Sequence, residues 1–93
     1  MFKVNEYFAG KVKSLGFNMH AGPATIGVMA KGEYEFGTSQ KEIITLITGA
    51  MSIQLPGAKD WKKIRVNESF EVAAHQKFLV QIDEDSSYLC LYR

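Results

Sequence analysis

The sequence predicts an all-β domain, a sandwich or small barrel of short antiparallel strands, and three observations predict it. Short runs rich in β-branched and aromatic residues recur along the chain. Turn-forming residues punctuate these runs, and no window carries the 3.6-residue period of an amphipathic helix. An immunoglobulin-like sandwich is the alternative, but its Cys-Trp-Cys pattern is missing from a chain with a single cysteine.

Taken in order, the expected strands are VKSLGF (12–17), TIGVMAKG (25–32), EYEF (33–36), EIITLIT (42–48), AMSIQL (50–55), KKIRV (62–66), SFEVA (69–73), KFLVQID (77–83) and SYLCLYR (87–93). Their Val, Ile, Thr, Tyr and Phe suit a pleated, half-buried surface. Between AMSIQL and KKIRV, Pro56 and Gly57 fit the central positions of a type II turn, where proline presets the first φ and glycine accepts the positive second one. That turn joins two antiparallel strands. In DWKKIRV (60–66), strand alternation puts Trp61, Lys63 and Arg65 on one face. The face reads as a solvated edge, or as an aromatic and cationic wall able to stack a base or hold a phosphate.

Ninety-three residues make one domain, 1–93, with no repeat, linker or low-complexity segment to divide it. A chain of this size hides only about 60 to 65% of its unfolded surface, so a partner subunit would help, and a homodimer is expected. Hydrophobic residues make up 46% and charged residues 23%, the balance of a chain folded from end to end. The formal charge of +1 supplies no broad field for nucleic acid or an anionic membrane, so any anion must be captured locally. Lys3, Asn5, Glu6 and Lys11 interrupt what a signal peptide would need as an apolar core, and no run approaches a membrane span of roughly 20 residues. The lone Cys90 can form neither an intrachain disulfide nor a Cys-based zinc site. A soluble, cytoplasmic protein is the expectation.

The common catalytic signatures are absent: no GxxxxGK[ST], HExxH, CxxC, GxSxG or GxGxxG. In KEIITLITGAMSIQLPG (41–57), Glu42 precedes Gly49 with apolar and β-branched residues between them, which resembles the second half of the first cupin motif. There the glutamate usually binds a metal and a His-x-His pair stands just before it, yet EFGTSQK (35–41) has no histidine. NESFEVAAHQKF (67–78) resembles the second cupin motif, with Phe78 in the place of its metal-binding histidine. Three of four ligand positions are thus empty, and a lone carboxylate does not hold a catalytic divalent ion. Glu42 then either faces water at a strand edge or serves a ligand inside the barrel, because an inward carboxylate is costly unless hydrogen-bonded or used. His75 reads as a surface-loop residue or as a group meeting a ligand at the barrel mouth, and His20 as a loop residue.

Across the chain, NEYFAGKVKSLGF, GVMAKGEYEF, ITGAMSIQLPG, the Asp60-Trp61 pair, FEVAAHQKF and SYLCLYR are together similar to the cupin-fold pyrimidine/purine nucleoside phosphorylase family. The resemblance is collinear from Asn5 to Arg93. It implies a single cupin-like (RmlC-like) conical β-barrel or jelly roll, and an enzyme of broad specificity that splits purine and pyrimidine nucleosides with phosphate into free base and ribose 1-phosphate. Ala73 stands where the general cupin pattern has proline, a departure expected to loosen the turn that carries His75.

Such chemistry needs no metal or resident cofactor, because inorganic phosphate, the co-substrate, is itself the nucleophile. Candidates to hold phosphate are Thr38, Ser39, Lys41 and His75, with His75 alternatively protonating the base. Glu42 is the candidate for the ribose hydroxyls or the developing positive charge. Tyr34, Phe36, Phe78, Tyr88 and Tyr92 are candidates to stack the base, a contact that tolerates any base because each has a π-face. Glu42 and His75 are expected at one mouth of the barrel. The competing function is a non-catalytic cupin that binds a small metabolite or, along an exposed edge, a protein partner.

Overall fold

A computed structural model describes all 93 residues, and it is nearly all strand. Eight strands run in chain order: β1 (Lys3–Tyr7), β2 (Val12–Met19), β3 (Gly22–Met29), β4 (Gly32–Gly37), β5 (Glu42–Gln54), β6 (Lys62–Ile64), β7 (Ser69–Val72) and β8 (Lys77–Tyr92). All pairings are antiparallel. Two long strands, β5 and β8, organise the rest. Their Glu42–Leu46 and Tyr88–Tyr92 halves continue the β1-β2-β3 ladder and carry β7, while the opposite halves pair with β6 and β4. The result is one eight-stranded sheet that β5 and β8 fold into two facing layers, with β1, β4, β6 and β7 as edges, so the ladder wraps the core without joining end to end.

The sequence expectation differs in its strand boundaries. EIITLIT and AMSIQL are one strand, as are KFLVQID and SYLCLYR, because bulges between Leu46 and Met51 bend β5 without breaking it. Gly49 makes this bend possible: its φ is +106°, and a Cβ there would run into the Ser86 side chain. Ser86 occupies the space instead, donating to the Glu84 carbonyl at 2.7 Å and accepting from the Ala50 N–H at 3.1 Å. TIGVMAKG divides, since β3 ends at Met29 and β4 starts at Gly32. The strand expected at 62–66 stops at Ile64, and β1 was not expected at all. The turn at Pro56 and Gly57 forms as read, with Gly57 at φ +76° and the Ala58 N–H donating to the Leu55 carbonyl at 3.0 Å.

Alternation then sorts the side chains. Val12, Leu46, Met51, Ile53, Val80 and Ile82 lie fully buried between the layers. Each contributes about 1.5 to 3 kcal/mol by leaving water. The outer face of β1-β2-β3 is also apolar yet open: the cross-strand row Val4, Leu15, Ile26 is 67%, 43% and 46% exposed.

Candidate active site

A cavity of about 380 Å³ lies between the two layers. The two-residue period of β8 turns Tyr88, Cys90 and Tyr92 into it, and the matching halves of β5 bring Glu42 and Ile44 alongside through the pairs Glu42–Tyr92 and Ile44–Cys90. Phe36 and Phe78, cross-strand partners on β4 and β8, supply an aromatic wall with ring centroids 5.8 Å apart. Phe70 extends that wall, its ring centre 6.2 Å from that of Phe78. Glu42 and Phe78, two positions where the cupin pattern would put metal ligands, therefore face one space.

Glu42 is the electrostatic centre of this cavity. Its carboxylate is half-buried and accepts a hydrogen bond from the Cys90 thiol at 3.4 Å. Burial raises its pKa above the ordinary carboxylate range, and the thiol bond offsets part of the rise. The groups around it stay neutral. Burial, reinforced by the Glu42 charge, pushes the Cys90 thiol up to about 12. Burial likewise pushes Tyr88 up to about 12, against the pull of the Ser14 hydroxyl, and raises Tyr92 further. The Tyr92 hydroxyl is shared with Thr25 Oγ1 at 3.0 Å. The floor is thus one carboxylate among neutral hydroxyls and a thiol, a donor set suited to sugar hydroxyls or to developing positive charge.

Cations are absent from the lining, whose only formal charges are Glu35 and Glu42. The candidate anion-binding residues lie on the rim instead. Loop 38–41 connects Gly37 to Glu42, and both of these line the cavity. Ser39 and Lys41 are exposed on that loop, Lys41 pairing with Glu71 at 3.7 Å. Thr38 is buried and acts as a clamp: its hydroxyl donates to the Ala73 carbonyl at 2.6 Å and accepts from the Gln76 N–H at 3.0 Å. Its carbonyl also accepts from the His75 N–H at 2.9 Å. His75 is held there with φ of 60° and its side chain exposed, outside the cavity wall.

Of the candidates to stack a base, Phe36, Phe78, Tyr88 and Tyr92 line the cavity. Tyr34 is buried behind Phe36, with its hydroxyl donating to the Ala30 carbonyl. Trp61, Lys63 and Arg65 are exposed and line no part of it, and His20 is exposed on its turn. The sequence reading missed Tyr7, Phe8, Ser14 and Cys90. Cys90 was within reach, since the alternation in YLCLY puts it between Tyr88 and Tyr92 on one face. Tyr7 and Phe8 belong to the unforeseen strand β1 and its turn, where adjacent aromatics before Ala-Gly were the available signal.

Comparison with known proteins converges on one family. The family described as "Pyrimidine/purine nucleoside phosphorylase" matches residues 2–92. A protein of that name from Pseudomonas paraeruginosa is 56% identical over 93 residues, spanning all of both chains. Another from Alcanivorax borkumensis is 54% identical over 92 residues, 99% of this chain and 98% of that one. A crystal structure from Vibrio parahaemolyticus, described as a protein of unknown function, superposes with a TM-score of 0.93 at 43% identity, covering 97% of this chain and 96% of that one. An ethanolamine utilization protein Q structure from Salmonella typhimurium, with a TM-score of 0.74 at 8% identity over 99% of this chain and 93% of that one, shares the cupin-like fold alone.

Proposed function

Since this chain belongs to the pyrimidine/purine nucleoside phosphorylase family, we propose that it is a metal-independent pentosyltransferase of broad specificity acting in the cytoplasm. The observation that carries the reading is the cavity itself, an aromatic space with one half-buried carboxylate on its floor and a polar loop at its rim. Its volume of about 380 Å³ falls within the range of small-molecule sites.

In this reading the base stacks against Phe36 and Phe78, and the ribose hydroxyls meet Glu42 with Tyr88 and Tyr92. Phosphate sits at the rim, held by Ser39, Lys41 and His75, with Thr38 fixing the turn that presents the histidine. A phosphate oxygen attacks the anomeric carbon as the glycosidic C–N bond breaks. The bond's electron pair leaves on the base, and the proton carried by hydrogen phosphate ends there, directly or through His75. The transition state has oxocarbenium character, which the Glu42 carboxylate opposes with its charge. Because stacking ignores the identity of the base edge, purines and pyrimidines are both accepted. The cavity that holds Glu42 is lined by the Cys90 thiol and by tyrosines, with no histidine, a donor set that supports chemistry without a metal.

The whole chain, 1–93, acts as one domain, and a second copy covers the apolar outer face of β1-β2-β3, where Val28 is 54% exposed beside Ile26. Neither nucleic acid nor membrane is a partner, in line with a net charge of +1 and with no helix long and apolar enough to cross a membrane.

The test is incubation of purified protein with uridine or inosine, with and without phosphate, and measurement of released base. Phosphate-dependent release from both nucleosides is expected, unchanged after exhaustive chelation. Equal release without phosphate would make the protein a hydrolase, and loss of activity on chelation, restored by one divalent ion, would sink metal independence.

A further inference from the structure

The turn between β1 and β2 reaches across to the other layer. Tyr7 ends β1, and Phe8, Ala9 and Gly10 follow with φ of 53°, 56° and 86°, three consecutive residues in the left-handed region. Two of them carry side chains, a costly backbone that persists only where its surroundings over-determine it. What holds it is visible on β4. The Phe8 ring lies 5.0 Å from that of Tyr34 and 5.5 Å from that of Phe36, the latter edge to face at 89°. Phe8 nevertheless remains 43% exposed and Tyr7 49% exposed, although both line the cavity. A ring that was only core packing would be covered. This one has one side against β4 and part of its surface open.

We propose that Phe8 is a base-binding residue, an aromatic surface carried by the β1–β2 turn that meets the heteroaromatic base of the nucleoside beside Phe36. The inference rests on the phosphorylase reading for the identity of the ligand and adds a residue from outside the strands that frame the floor. Phe8 offers a π-face and no hydrogen-bonding group, so it binds any base without choosing among them. The tight turn positions it before substrate arrives, which lowers the ordering cost of binding.

Four proteins test it: wild type, Phe8→Ala, Phe8→Leu and Phe8→Trp. None of the replacements is β-branched, so none adds a backbone penalty in the left-handed region beyond the one phenylalanine already carries, and thermal unfolding checks that each is folded. Uridine and inosine are titrated calorimetrically in phosphate-free buffer, where phosphorolysis cannot proceed, and KM is then measured separately for nucleoside and phosphate. Base stacking removed by truncation to alanine corresponds to roughly 5- to 150-fold in affinity.

Phe8→Ala should weaken both nucleosides by at least 5-fold, Phe8→Leu should weaken them while keeping the apolar contact, and Phe8→Trp should restore them, with KM for phosphate unchanged throughout. Wild-type affinity in a folded Phe8→Leu protein overturns the proposal, as does a phosphate KM that rises in step with the nucleoside KM. Nucleoside binding that depends on the ring, in a wild-type protein that releases no base, would sink the phosphorylase reading and leave this one standing. Failure of the wild-type protein to bind either nucleoside overturns both.

Discussion

Replacing Gly27 with alanine tests how the fold prepares the cavity. Gly27 sits in β3 between its cross-strand neighbours Ser14 and Tyr88, and the Tyr88 ring lies over the space where a side chain would be. An added Cβ would stand 2.5 Å from the Lys13 carbonyl oxygen, 2.8 Å from Ser14 Cβ and 2.9 Å from Tyr88 Cζ. The first of these is backbone, so β2 and β3 must spread, and the third pushes Tyr88 toward the cavity it lines. Overpacking of this kind costs about 1 to 3 kcal/mol, offset by about 0.4 to 1 kcal/mol from the reduced freedom of the unfolded chain. A net loss of about 1 to 2 kcal/mol lowers the Tm of a domain this size by roughly 5 to 15 °C. Gly16→Ala is the control, because a Cβ there meets nothing nearer than 3.7 Å and the residue has no left-handed φ. Thermal unfolding by circular dichroism should show a clear drop for Gly27→Ala and little change for Gly16→Ala, and only the first should raise the nucleoside KM. Equal melting temperatures for the two variants would refute the account of Tyr88 as a ring laid across a glycine.

Further outcomes at three residues follow from the cavity floor and rim. Glu42→Gln should lower kcat/KM for nucleoside by roughly 10² or more while leaving the phosphate KM near its wild-type value, since charge is lost and shape is kept. The raised Glu42 pKa gives this a pH signature: wild-type activity should rise through an acid limb above the ordinary carboxylate range, and the variant should lack that limb. Stability moves the opposite way. A carboxyl whose folded pKa is raised favours the fold below its unfolded pKa and loses that contribution as pH rises through the folded one, so Glu42→Gln should melt higher than wild type at neutral pH and no higher in acid. His75→Ala should lower kcat by roughly 10² without loss of fold, because its side chain is exposed; near-normal turnover would return His75 to a plain turn residue. Cys90, buried and with its thiol pushed up to about 12, should resist iodoacetamide at pH 8 in the folded protein and react once unfolded, as followed by mass spectrometry.

What the sequence revealed and what it hid have separate physical causes. Period-two alternation is a local property, so the floor of the site could be read from SYLCLYR and from the apolar run after Glu42. The collinear resemblance then identified the family and, with it, the cupin-like fold. Long-range closure is another matter. Whether a run of six residues is a strand or half of one depends on whether a bulge lets the ladder continue, and Gly49 resolves that only through its approach to Ser86, far along the chain. The position of His75 depended on the same kind of contact: motif spacing put it with Glu42 at one mouth of the barrel, while the Thr38 clamp holds its turn with the side chain exposed and outside the cavity lining.

The division of charge in the site follows from that geometry. Inward positions on β5 and β8 alternate with outward ones, so Lys41, Lys77 and Arg93, each adjacent in sequence to an inward residue, are excluded from the lining that Glu42, Phe78 and Tyr92 form. An aromatic interior in which Glu42 is the one half-buried carboxylate favours a neutral base and a sugar that becomes positive. A phosphate dianion placed against that carboxylate would meet repulsion strengthened by the low dielectric. At the rim, water and the exposed Lys41 and His75 remove that penalty, and the anion can still reach the anomeric carbon if the ribose bridges the two environments. On the proposed reading the fold separates the partners of phosphorolysis by depth, with the base inside, the phosphate outside, and the bond to be broken between them beside Glu42. Exchanging the order makes a definite prediction, because Ile44→Lys, which puts a cation on the floor, should cost nucleoside binding without improving the KM for phosphate. A lower phosphate KM in a folded Ile44→Lys protein would place the anion inside the cavity and reverse this assignment.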